Sequence, residues 1–178
     1  MEKFGCFISA QGAFGQTTIA KGTLLEQAQA AVGGNVEILP TRPGLRAPVT
    51  AFVNEEGALE FLPHNELAAR VLRVFHVDTT TAPGGVVWGN VFVIGRNDRG
   101  LSRMQAQAIV AVCEFFIDNP NRDTLDHNTA ELVSGAFFVA RKHRKPTKPA
   151  AVDESEPGSA PPPTKKPRKR SPPKSNPK

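Results

Sequence analysis

Val91-Phe92-Val93-Ile94 closes at Gly95, turns at Asn97-Asp98-Arg99-Gly100 and runs into Ser102-Arg103-Met104-Gln105. The first four residues are a β-rich run, and the second group has capping-box spacing. Beyond it, Met104, Ala108, Val112, Cys113 and Phe116 recur at helical intervals on one face. This predicts a helix over 102–117, and Pro120 bars its continuation. A strand, a turn and a capped helix in close succession set the class. Strands mixed with helices, without regular alternation, predict an α+β domain with a small mixed sheet and three to four helices.

The same reading extends in both directions. Lys3 to Ser9 alternates loosely and reads as a strand, and Gly12 to Thr18 as a loop or weak hairpin. Thr23-Leu24-Leu25-Glu26 has capping-box spacing, so a helix is expected over about 23–32, ended at Gly33-Gly34. Val36 to Leu39 is a short strand stopped by Pro40. Val49 to Val53 is a strand, and Asn54-Glu55-Glu56-Gly57 turns it into a hairpin partner, Ala58 to Leu62. Asn65 is placed to cap a helix over Glu66 to Leu72. Val74 to Val77 and Val86 to Trp88 are further β-rich runs. Residues 121–140 end in Ala136-Phe137-Phe138-Val139, read as the close of a helix from near Thr129, with a last strand as the alternative.

Composition divides the chain of 178 residues in two. Residues 141–178 hold 12 of the 22 basic residues, only 3 of the 17 acidic ones, and 10 of the 16 prolines. Residues 1–140 are therefore mildly acidic and long enough to bury a sizeable core. The expected organisation is an α+β domain over 1–140 and a disordered Pro/Lys/Arg-rich tail over 141–178. No stretch nears the ~20 apolar residues of a membrane span. The start, Met1 to Cys6, lacks a secretory leader's long apolar run. Cys6 and Cys113 form no CxxC pair and are expected to be reduced packing residues. With no Tyr, 11 Phe and the single Trp88, the body has few polar-tipped aromatics for stacking on bases.

Four short motifs carry a resemblance. They are Gly33-Gly34-Asn35-Val36-Glu37, Val53-Asn54-Glu55-Glu56-Gly57, Leu62-Pro63-His64-Asn65 and Trp88-Gly89-Asn90-Val91-Phe92-Val93-Ile94-Gly95. Over Leu24 to Gly95 the chain resembles a small domain of unknown function found in phage, bacterial and some algal or plant-type sequences. The resemblance implies a fold and no agreed activity or catalytic residue. Helix 102–117 with its continuation, and the basic tail, stand outside its usual compact form.

The residues within these motifs are mostly turn formers. Gly57, Asn65, Gly89 and Asn90 read first as turns, caps and close strand crossings. The chemical alternative gathers Glu37, Asn54, Glu55, Asn65 and Asn90 into a polar ligand site at one end of a sheet. His64, His76 and Asp78 fit no compact metal-ligand motif. Gly12 to Thr18 lacks the Gly-Lys-Ser/Thr ending of a phosphate loop. No catalytic residue, metal or cofactor is assigned.

The tail speaks more plainly. Lys165, Lys166, Arg168, Lys169 and Arg170 form a dense basic run flanked by prolines, resembling a single-cluster nuclear import signal. The same cations would attract nucleic acid through its phosphates. Ser171-Pro172 follows directly and suits a proline-directed kinase. The expectation is a non-enzymatic accessory or interaction protein. Its partners would be an import carrier, nucleic acid through the tail and an unidentified protein, with no membrane. Its place would be the nucleus where the source cell has one, and otherwise the cytoplasm. The alternatives are a small enzyme using the Glu/Asn surface and a phage-derived bacterial protein.

Overall fold

The computed structural model describes residues 2–138. Its strands are β1 (Phe4–Ile8), β2 (Phe14–Thr18), β3 (Val36–Ile38), β4 (Val49–Asn54) and β5 (Val91–Gly95). Its helices are α1 (Leu24–Val32), α2 (Glu66–Val74), α3 (Arg103–Asp118) and α4 (His127–Phe137). The strands form one sheet in the order β2-β1-β5-β4-β3. The α+β class and the number of helices are as expected. Every pairing is antiparallel, so the sheet is not mixed. Its central strand, β5, is the last of the five in the chain.

All five residues of β5 are buried because both faces of the sheet are covered. Val91 and Val93 face a large core shared with Phe4, Cys6 and Ile8 of β1, and with α2, α3 and α4. Phe92 and Ile94 face a smaller core under α1, with Ala28, Val32 and Phe52. Close packing here requires glycine at one position: a Cβ on Gly5 would lie 2.3 Å from Cζ of Phe92. α3 is capped as its sequence foretold. Ser102 accepts from the Gln105 N–H, and the Gln105 side chain accepts from the Ser102 N–H. Arg70 of α2 ties the end of α3 down, donating to the carbonyls of Phe116 and Asn119 with its guanidinium 4.4 Å from the Phe116 ring centre.

Several local expectations are corrected. Ala58 to Leu62 is no strand; it coils into a turn, and β4 pairs instead with β3 and β5. Gly12 to Thr18 does form a hairpin, with β2 lying along β1. Val74 closes α2, and Val77 makes a single bridge to Thr41. Val86 to Trp88 likewise contributes one bridge, between Trp88 and His64. Thr23 precedes α1, but its hydroxyl donates to the Ala20 carbonyl and caps nothing. Gly33 does end α1, in the left-handed region at φ 82°. α4 is a helix, and its cap is Asp126, which accepts from the Thr129 N–H at 2.8 Å.

Candidate functional site

Of the five residues of the expected polar cluster, the three asparagines come to one end of the sheet, where β1 and β4 finish and β3 and β5 begin. Asn54, Asn65 and Asn90 all lie there. The register sets Val36 opposite Asn54 and Ile8 opposite Val91. Glu37 lies on the far side of the edge strand: it pairs with Val53, whose side chain enters the large core, while Asn54 follows Phe52 onto the α1 face. Glu37 and Asn54 therefore point to opposite faces. Glu55 donates its N–H to the Asn35 carbonyl at 2.9 Å and turns its side chain to solvent.

Each carboxamide is committed to the backbone or to its own loop. Asn65 is 2 % exposed. Its Oδ1 accepts from the Ala68 N–H at 2.9 Å, capping α2, and its Nδ2 donates to the carbonyls of Ile8 and Gly89, each at 2.9 Å. Asn90 accepts from the Ala10 N–H and donates to the Ala31 carbonyl, joining β1, β5 and α1. Asn54 accepts from the Glu56 N–H at 2.8 Å and donates to Oε2 of Glu60 at 3.3 Å. These amides tie together backbone groups of separate elements, and Asn54 also holds the Glu60 carboxylate. They act as braces.

Asn54 braces a loop that the sequence pattern suggested as a hairpin turn and strand. Residues 55–62 leave β4 through the Asn54 turn and form one turn of helix, with the Glu60 N–H on the Glu56 carbonyl at 2.9 Å. The turn closes with two nested bonds, from Phe61 N–H to the Ala58 carbonyl and from Leu62 N–H to the Gly57 carbonyl. That pairing is a Schellman ending, which requires a left-handed residue at its penultimate position and favours glycine there. Phe61 occupies that position at φ 51°. A left-handed backbone costs an ordinary residue about 1–2 kcal/mol. The ring recovers nothing from the fold, because Phe61 is 86 % exposed and Leu59, two residues before, is 78 % exposed.

The loop is fixed against its neighbours on two sides. A Cβ on Gly89, which sits at φ 71°, would lie 2.7 Å from Cδ1 of Leu62, and one on Gly57 would lie 3.2 Å from Cβ of Trp88. The Gly89 N–H donates to the Pro63 carbonyl at 2.8 Å, and His64 packs edge-on to Trp88 with ring centres 4.2 Å apart. Four carboxylates, Glu55, Glu56, Glu60 and Glu66, are exposed along this segment. Residues 47–69 contain no Lys or Arg.

The remaining candidates lie apart. Asp78 accepts from the backbone N–H and hydroxyl of Thr80 in a local turn, and these bonds hold its carboxyl below the usual range. Cys6 and Cys113 are buried thiols, and burial pushes the Cys6 thiol up to about 12. Lys165, Lys166, Arg168, Lys169, Arg170 and Ser171 lie outside the described residues, as does the expected start of the tail at 141.

Alternation of Leu59 and Phe61 made 58–62 look like a strand. Pro63 beyond it and the Glu-Glu-Gly-Ala-Leu-Glu composition were the signals for a helical turn. No curated protein and no solved structure matches the chain. A family model does, and over more of the chain than the resembling segment, so α3 belongs largely to the domain rather than being an addition to it. Strands β2 to β5 with the end of β1, the braced loop and most of α3 fall within residues 7–114, the span matched by the family described as "Domain of unknown function (DUF3846)", and the chain belongs to that family.

Proposed function

We propose that the protein is a non-enzymatic accessory or interaction protein, its body binding a partner and its basic tail directing it to the nucleus. The observation that carries the first part is the commitment of Asn54, Asn65 and Asn90 to bracing bonds. A reacting group needs a free lone pair or proton aimed at a substrate, and these amides hold carbonyls and N–H groups of their own chain. An interaction surface needs rigid, exposed apolar side chains, which the loop supplies.

The basic run Lys165, Lys166, Arg168, Lys169 and Arg170 supports the second part. In a nucleated cell it acts as the import signal; elsewhere the protein is cytoplasmic. The same five cations give weak contact with nucleic acid by displacing condensed counterions, a contribution that carries no sequence information. Phosphate on Ser171 adds close to two negative charges beside them and weakens both contacts.

The test replaces these five residues with Ala in a large tagged fusion and follows its location in nucleated cells. Cytoplasmic retention supports import, and continued nuclear accumulation removes it. A salt titration of the full chain on two unrelated DNA duplexes gives equal affinities, roughly 10⁻⁴–10⁻⁶ M at physiological salt, falling steeply as salt rises. Tight binding to one duplex alone overturns the electrostatic reading.

A further inference from the structure

We infer that Leu59 and Phe61 are the anchor residues of a docking surface for a partner protein presenting an apolar pocket rimmed by Lys and Arg. This rests on reading the body as an interaction module and names the surface and the partner's chemistry.

Two costs fall on one residue. Phe61 holds a backbone conformation that glycine adopts freely, and it holds a large apolar ring in water. Nearby the fold has glycine at Gly57 and Gly89, where close contacts require it. At position 61 the side chain instead meets open solvent. Folding gains nothing from the ring, whereas burial in a partner's pocket gains its full apolar surface. Leu59, two residues earlier in the same loop, is a second large apolar side chain left in solvent.

Rigidity supports the assignment. Asn54 bonds Glu56 and Glu60, Leu62 abuts Gly89, and Gly57 abuts Trp88, so the loop is held before any partner arrives. A preorganised aromatic anchor loses little conformational freedom on binding.

Charge selects the partner. Glu55, Glu56, Glu60 and Glu66 are exposed in the segment that carries the two apolar side chains, and residues 47–69 contain no Lys or Arg. Their field favours a surface with Lys and Arg around its pocket. It opposes the same loop of a second copy, and it opposes an anionic membrane.

The experiment selects random phage-displayed peptides on the full-length protein, with an excess of free peptide 141–178 in solution to absorb ligands of the basic tail. Enriched peptides should interleave Lys or Arg with large apolar residues and lose at least about tenfold in affinity on Phe61→Gly and on Leu59→Ala. Binding should weaken as salt rises. The thermal midpoint of Phe61→Gly should hold or rise, by up to about 2–4 °C, since glycine relieves the strain. A clear fall in that midpoint would show that the ring supports the fold, and would overturn the inference. Peptides that bind Phe61→Gly unchanged overturn the surface while leaving the interaction reading intact. Enrichment of acidic or uncharged peptides, or binding to phosphatidylserine vesicles that depends on Phe61, overturns the partner's chemistry. Failure to enrich any peptide overturns both.

Discussion

Nδ2 of Asn65 donates to the carbonyl of Ile8 at 2.9 Å, joining residues 57 positions apart in the chain. The same nitrogen bonds Gly89, and the oxygen of the same amide caps α2. One side chain thus fixes the end of β1, the approach to β5 and the start of a helix.

Replacing Asn65 should reveal that concentration of roles. Asn65→Ala loses a helix cap and two buried hydrogen bonds to the carbonyls of Ile8 and Gly89, a destabilisation of about 2–4 kcal/mol. Asn90→Ala loses longer bonds, at 3.2 and 3.3 Å, in a partly buried setting, and should cost about 1 kcal/mol. Urea unfolding of the two variants compares them directly. An Asn90 variant less stable than the Asn65 variant would mean that the brace is elsewhere.

Gly5 and Phe92 should behave as a coupled pair. Gly5→Ala places a methyl 2.3 Å from Cζ of a ring that is itself buried between β5 and α1. Overpacking of this kind costs about 1–3 kcal/mol. In a Phe92→Leu background most of that penalty should vanish, giving a coupling energy of about 1 kcal/mol or more. Strictly additive effects in a double-mutant cycle would absolve the ring.

Alkaline pH should loosen the fold through its thiols. Burial raises the Cys6 thiol from 9.0 to about 12 and raises the Cys113 thiol as well. A raised folded-state value means that the protonated thiols stabilise the native chain. This contribution is complete below about pH 9 and declines as pH climbs towards 12, because the unfolded chain ionises first. Urea midpoints measured across that window should fall, and they should fall less in Cys113→Ala. Native protein should also resist a thiol-labelling reagent that reacts fully in urea. Rapid native labelling would place the thiols at the surface.

What could be read in the sequence is what local chemistry decides. Ser102 and Gln105 form their capping box, Asn65 caps α2, and Val91 to Gly95 is a strand. Each follows from residues within a few positions of one another. Thr23 has the same spacing as Ser102, yet its hydroxyl turns to Ala20, because the backbone at Thr23 lies at ψ 16° rather than extended. Residues 58–62 show the larger difficulty. Their alternation suited a hairpin with β4, but both edges of β4 are taken by β3 and β5, one of them a strand some 40 residues on. A pairing partner at that distance leaves no mark in the local pattern. The gathering of Asn54, Asn65 and Asn90 was legible as turn chemistry; the exposure of Leu59 and Phe61 depends on tertiary packing and was not.

The place of β5 has a consequence for synthesis. The ribosome delivers β1 with β2, and then β3 with β4, before the strand that lies between them exists. Until residue 95 has emerged, β1 and β4 each present an unpaired edge of N–H and C=O groups beside apolar side chains. Such edges template association between nascent chains. A chain interrupted before Val91 therefore carries two sticky half-sheets. One completed beyond Gly95 closes both edges with a single strand.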